Sequence, residues 1–372
     1  MNIGIDARCL TEQQLSGVGY YAAEMIAALL KIDHENQYYL YTNSWQNNKK
    51  NLPVFEGENV HYVHTRFPNK IIHLSIALFR WPKLDTFFPI RLDLFWEPTN
   101  HFFSISKGIR LVVTCHDVSW KIFPELYTRK GLFWHWALQL EKIYTRANKI
   151  IAVSEHTKND LQRVYGILET KIKVIHSGMP TIRKFSEKDT IELPAKKYFL
   201  FLGNIEPRKN IESIVDAFLQ ITGQQPDIDL LLAGGSKLAP GFARKLFKKI
   251  ATYPRIHYIG YVSDAIKQKL YSQATAFVFP SWHEGFGFPP LEAMENDVPV
   301  IASNITALPE VLGSAAYYIN PYNTVELASA MLRLATDYKL RTRLVLAGKN
   351  QVTQYKWETA AAKLLSEFKN CI

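Results

Sequence analysis

Tyr198-Phe199-Leu200-Phe201-Leu202-Gly203-Asn204-Ile205-Glu206-Pro207-Arg208-Lys209-Asn210-Ile211 reads as a short apolar strand, a glycine-bearing loop with two adjacent cations, and the start of a helix. Outward from it the same alternation runs to both ends of the chain. Strands are expected at Asn2–Asp6, Tyr38–Thr42, Leu92–Trp96, Leu111–Cys115, Lys149–Val153 and Lys173–Ile175. In the second half they are expected at Tyr198–Leu202, Leu230–Ala233, His257–Ile259, Ala276–Phe279 and Val300–Ala302. Short strands alternating with helical stretches predict the α/β class, with parallel sheets and crossover helices.

A chain of 372 residues suits two domains better than one. Between Gly178 and Lys197 apolar periodicity gives way to glycine, proline and alternating charge, the composition of a linker. The expected division is therefore a Rossmann-like domain over 1–180, a linker over 181–196, a second Rossmann-like domain over 197–356, and a helix over 357–372 crossing between the domains. Two doubly wound domains would face a central cleft ringed by strand carboxyl ends, where open α/β sheets bind ligands.

Composition removes several classes. Apolar residues at 47% and charged residues at 21% exclude disorder and fibrous repeats. The longest apolar run, Ile71 to Phe79, is interrupted by His73 and Ser75 and is too short to span a bilayer. The N-terminus reaches Asp6 at once and does not read as a secretory signal. Cys9, Cys115 and Cys371 make an odd set without CxxC spacing, which fits a reducing cytoplasm and neither disulfides nor structural zinc. The net charge of +10 is spread over both halves, without the concentrated stripe that nucleic acid requires.

Four loops after strands carry the chemistry. Ser16-Gly17-Val18-Gly19-Tyr20 opens a helix, where Gly17 and Gly19 either let backbone N–H groups approach a phosphate or simply make a tight turn. His116-Asp117 ends a strand; His116 could bond a sugar hydroxyl, with Asp117 fixing its tautomer or capping the next segment. Arg208 and Lys209 at a helix start suit a diphosphate, the first as a bidentate donor and the second as a point charge; the alternative is a solvated basic turn. The fourth loop, Phe279-Pro280-Ser281-Trp282-His283-Glu284-Gly285-Phe286-Gly287-Phe288-Pro289-Pro290-Leu291-Glu292, places one carboxylate in a glycine loop and another eight residues on, inside a helix that proline can open. Asp227-Ile228-Asp229 imitates a metal-holding DxD. It precedes its strand, however, and is read as a solvated strand start with no metal site. The basic loop and helix dipoles can serve a leaving diphosphate without a metal.

The Glu284–Glu292 stretch resembles the Glu-x7-Glu motif of retaining GT-B glycosyltransferases of family four. The likeness extends over nearly the whole chain, through the Ser16–Gly19 loop, His116-Asp117, Val153–Thr157, Glu206–Asn210, Gly260–Asp264 and Ala302–Asn304. It is nearest to the bacterial mannosyl- and related hexosyltransferases that assemble surface polysaccharide. The resemblance implies Glu284 at the donor sugar, the Phe286 and Gly287 backbone at sugar and diphosphate, and Glu292 on the ribose. It further implies Lys209 on the diphosphate, Val262 at the base through its backbone, and His116 at the sugar or acceptor side. Relatives often carry arginine where Asn204 stands, and Arg208 is expected to replace that charge. No cofactor is expected; a nucleoside-diphosphate sugar, GDP-mannose favoured, is co-substrate, and the partner is a glycan or lipid-linked acceptor. A sugar-nucleotide 2-epimerase and a non-enzymatic sugar-binding protein are the alternatives on this architecture.

Two aromatic stretches, Phe67 to Phe103 and Leu132 to Tyr144, are interleaved with Arg80, Lys83, Arg91, Arg129 and Lys130. They read either as a peripheral contact with anionic membrane at the inner face or as core beneath a basic surface.

Overall fold

The computed structural model describes residues 1–12, 15–45, 53–179, 193, 197–236 and 239–371. They form two compact units. The expected linker, 181–196, lies outside the described residues apart from Leu193.

The first unit holds Met1–Ile122, Arg129–Gly178 and Tyr355–Ile372. Its sheet has seven strands: β1 (Asn2–Asp6), β2 (Gln37–Asn43), β3 (Val60–Thr65), β4 (Leu94–Glu97), β5 (Arg110–Cys115), β6 (Lys149–Ala152) and β7 (Ile172–Val174). Their order is β3-β2-β1-β4-β5-β6-β7, with every pairing parallel. The second unit holds Met179–Gln354 with the short excursion Phe123–Thr128. Its strands are β8 (Tyr198–Leu202), β9 (Asp229–Ala233), β10 (Ile256–Tyr258), β11 (Ala274–Phe279), β12 (Val300–Ser303) and β13 (Ala316–Ile319), ordered β10-β9-β8-β11-β12-β13 and again parallel throughout.

Both sheets reverse direction of winding beside their first strand, between β1 and β4 and between β8 and β11. Crossovers leave to opposite sides there, so the loops after those two strands diverge and open a crevice at the carboxyl edge. All five residues of β8 are buried, as befits a central strand covered on both faces. The sequence reading lacked β3 and β13. Both are edge strands: β3 sets exposed or half-exposed His61, Tyr62 and His64 around buried Val63, and β13 is four residues long with Tyr317 and Tyr318 only half-buried.

The helix Trp357–Asn370 packs along Gly17–Ile32 of the first unit. Trp357 sits so close to Gly178 that a Cβ there would collide with its indole ring and backbone nitrogen, so the position requires glycine. Phe368 lies against Trp96 at 5.9 Å between ring centroids. The terminal segment, expected to cross between domains, thus counts with the first unit. All three cysteines are free thiols, and no helix among the described residues is long and apolar enough to cross a membrane.

Candidate active site

The crevice of the second unit gathers its chemistry from the β8 and β11 loops. After β8 the chain makes a single 3-10 turn over Pro207–Lys209 and passes through Asn210 at φ 57° into the helix Ile211–Ile221. Asn210 holds that left-handed conformation because its Nδ2 donates to the carbonyls of Pro280 (3.1 Å) and Pro321 (2.8 Å). Gly234, at φ +137°, lies under this loop, and any Cβ there would run into the Gly203 carbonyl.

The turn aims both cations at one carboxylate. Lys209 Nζ donates to Glu284 Oε1 at 2.6 Å and Arg208 Nη1 to Oε2 at 3.3 Å. Arg208 is held in turn by Glu206 (2.9 Å) and by the His283 carbonyl (2.7 Å), and the Arg208 carbonyl accepts from Trp282 N–H at 3.0 Å. Lys209 also lies over the Phe279 ring, 4.9 Å from its centroid. Glu284 is only 6% exposed. Burial pushes its carboxyl up, but Lys209 and then Arg208 overcome this and hold it below the usual range. The carboxylate is therefore ionised at neutral pH and lodged between two cations, a poor state for a covalent nucleophile and a good one for positioning a sugar beside a diphosphate.

Gly287, at φ +103°, starts the helix Phe288–Glu295, with proline in its first turn where no helical N–H is lost. A Cβ at Gly287 would approach Leu308 Cδ2 to 2.7 Å. Phe286 is buried edge-on to Phe288. Glu292, one turn into the helix, accepts from the Tyr271 hydroxyl at 3.0 Å. Burial, reinforced by Glu292, keeps Tyr271 protonated and hence a donor. Val262 is buried, so what it can present to a ligand is its backbone.

Gly17, Gly19 and His116 belong to the first unit. Ser16 caps the helix Gly17–Ile32 by accepting from Gly19 N–H at 3.4 Å. Gly19 is buried against Leu15, whereas a Cβ on Gly17 would meet open space. His116 Nε2–H donates to the Pro98 carbonyl at 2.7 Å, which fixes the tautomer; Asp117 instead accepts from Ser119 N–H and Oγ–H. Burial lowers the His116 pKa, leaving a neutral ring edge-on to Tyr21.

Sequence reasoning missed a second buried cluster, at the β1–β4 crevice. Arg8 grips Asp6 through Nε and Nη2 and donates to the Phe102 carbonyl at 2.9 Å. Glu97 ends β4 beside them, and burial together with Asp6 pushes its carboxyl up to about 7. Asp6, Glu97 and His101 stand close enough to share a cation, but the Arg8 guanidinium already occupies Asp6 and opposes one. Nothing in the isolated residues Asp6 and Glu97, ninety-one positions apart, announces their pairing; only the strand order does. Asp229 of the DxD look-alike is likewise engaged, by Arg255 (3.2 Å) and His257 (2.8 Å), so it is an ion-paired strand start rather than a solvated one.

Two parallel sheets, each with a switch point, and a basic loop with a buried glutamate at that of the second have the architecture of the GT-B fold. A model of glycosyltransferase family 4 matches residues 15–183, and one of the group 1 glycosyl transferases matches residues 183–351. The chain belongs to family 4 of the glycosyltransferases, the retaining GT-B hexosyltransferases that use nucleotide-sugar donors. It is 29% identical over 274 residues, 70% of either chain, to the O-antigen chain mannosyltransferase B of Escherichia coli. It is 29% identical over 210 residues, 56% of either chain, to the O-antigen chain mannosyltransferase RfbU of Salmonella typhimurium. With a serotype-specific mannosyltransferase, WbdA of Escherichia coli, it shares 28% identity over 70% of its own length but only 33% of that protein's. Among solved structures, sucrose-phosphate synthase from Thermosynechococcus elongatus superposes with a TM-score of 0.73 at 18% identity, covering 99% of this chain and 98% of that one. Anabaena HepE in complex with UDP and glucose gives 0.70 at 16%, with both chains fully covered. At such identities these two likenesses speak for the fold alone.

Proposed function

We propose that the enzyme transfers mannose, with retention, from GDP-mannose to a hydroxyl of a growing glycan, carried on lipid, in surface-polysaccharide synthesis. The observation that carries this reading is the Arg208–Lys209–Glu284 cluster at a switch point, together with the mannosyltransferase activity that the relatives' names state. In it, Lys209, Arg208 and the backbone at Phe286 and Gly287 take the diphosphate, and Glu284 takes the sugar. Glu292 accepts from the ribose hydroxyls, the Val262 backbone meets the base, Gly17 and Gly19 contribute a helix start toward phosphate, and His116 serves the sugar or acceptor side. With Glu284 neutralised by two cations, front-face departure of the diphosphate is favoured over double displacement. Fixed positive charge at the leaving group supplies several kcal/mol of stabilisation without a metal.

The test is incubation of the purified enzyme with GDP-mannose or a UDP-hexose, with and without acceptor and EDTA. Transfer from GDP-mannose with the anomer retained, undiminished by EDTA, is the expected outcome. Preference for the UDP-hexose would overturn the donor, metal-reversible loss the metal-free mechanism, and an acceptor-independent altered nucleotide sugar would point to an epimerase. Glu292→Gln should weaken GDP binding by about 1.5–3 kcal/mol, the worth of hydrogen bonds to a charged acceptor, with little change in kcat. Equal affinity in calorimetry would remove Glu292 from the ribose.

A further inference from the structure

A cavity of about 280 Å³ on the first unit is rimmed by five cations, Arg80, Lys83, Lys107, Lys142 and Arg146. Its floor is apolar, made by Phe103, Leu111 and Ile143. The nearby carboxylate of Asp85, which accepts from Ser106 N–H at 2.8 Å, offsets one of these charges, and the five cations still leave the rim a positive excess. Lys83 donates to Ser104 Oγ, Arg146 to the Ser106 carbonyl and Arg80 to Gln139, each by one bond, which fixes the side chains without neutralising them. The cations also oppose one another: burial, then Arg146, lowers the Lys83 pKa even though Asp85 pulls it up.

The surface around this cavity is apolar in a way that folding does not require. The helix Asn69–Phe79 buries Ile72 and Ile76, yet its outer side carries Ile71, Leu74 and Leu78 at 61–65% exposure, followed by Phe79 and Trp81 at 75% and 67%. The helix Arg129–Leu138 adds Phe133 and Trp136 at 65% and 68%. The two patches flank the cavity, because Arg80 joins the end of the first helix to Gln139, which directly follows the second. Exposed aromatics and leucines bordering clustered cations complement an anionic bilayer surface, whose apolar interior covers the one and whose phosphates neutralise the other.

We propose that this face of the first unit docks on an anionic membrane, with a lipid phosphate in the basic cavity and the flanking aromatic and aliphatic side chains in the interfacial layer. The proposal does not rest on which sugar the enzyme transfers. Its test is sedimentation of the full chain with phosphatidylglycerol or phosphatidylcholine vesicles at low salt. Wild type should sediment with the anionic vesicles only. Lys107→Glu/Lys142→Glu should lose about thirtyfold or more in partition, given about 1 kcal/mol per basic contact. Both positions are exposed, and thermal unfolding checks that the variant is folded. Lys245→Glu/Lys248→Glu, the same charge change on exposed positions of the second unit, should bind like wild type. Equal losses in the two variants would reduce the effect to overall basicity and overturn the proposal. So would failure of the wild type to sediment with the anionic vesicles, with stabilisation by inorganic phosphate that Lys107→Glu/Lys142→Glu abolishes marking the cavity as a soluble-phosphate site.

Discussion

Glu284→Gln is expected to reduce kcat by about 10²–10³-fold, the loss typical when one preorganised charged or hydrogen-bonding group is removed from a reacting centre. The amide keeps the shape and an acceptor for Lys209 but loses the charge. Glu284→Ala is a different experiment. The carboxylate is buried against Lys209 at 2.6 Å, so its removal leaves a buried ammonium with its main partner gone, at a cost of about 3–5 kcal/mol. Steady-state kinetics on the glutamine variant and thermal unfolding on both separate the roles. Near wild-type turnover in Glu284→Gln would take the residue out of the donor site.

How far the sequence could be read follows from which elements are local. The central strands are apolar runs bounded by glycine or charge, and their positions stood in the sequence to within two residues, as Tyr198–Leu202 illustrates. The edge strand β3 did not, because half its residues face solvent and carry histidine and tyrosine. At the site, Arg208, Lys209, Glu284 and Glu292 drew notice as residue types in loops after strands, but their contacts belong to topology. Lys209 meets Glu284 because β8 and β11 are neighbours although seventy-five residues separate the two side chains. For the same reason Tyr271, which orients Glu292, could not be picked from its surroundings: it lies in an ordinary amphipathic helix, and only packing brings its hydroxyl to the carboxylate. The aromatic-basic stretches left two readings open, and the fold divides them, burying Phe88, Phe95 and Trp96 while exposing Phe79, Trp81 and Trp136.

Lys209→Met should produce the other large effect, again about 10²–10³-fold in kcat, because negative charge grows on the diphosphate as the glycosidic bond breaks and this ammonium is the cation best placed to meet it. Nucleotide affinity should fall much less, since the ground-state diphosphate keeps Arg208 and the backbone donors. The variant also alters Glu284. With Lys209 present the carboxyl is held below its usual range, so ionisation is complete at neutral pH and is lost only as pH falls through that lowered value. Without Lys209 burial pushes the other way, opposed chiefly by Arg208 at 3.3 Å, and the pKa rises. The acid limb of kcat/KM should therefore move to higher pH in Lys209→Met and vanish in Glu284→Gln. The double variant tests the coupling: the buried pair is removed together, so its loss of stability should be smaller than the sum of the single losses, while its turnover stays at the level of the worse single variant. An unshifted acid limb in Lys209→Met, or strictly additive losses in stability and rate, would mean that the Lys209–Glu284 contact is not a working unit of the enzyme.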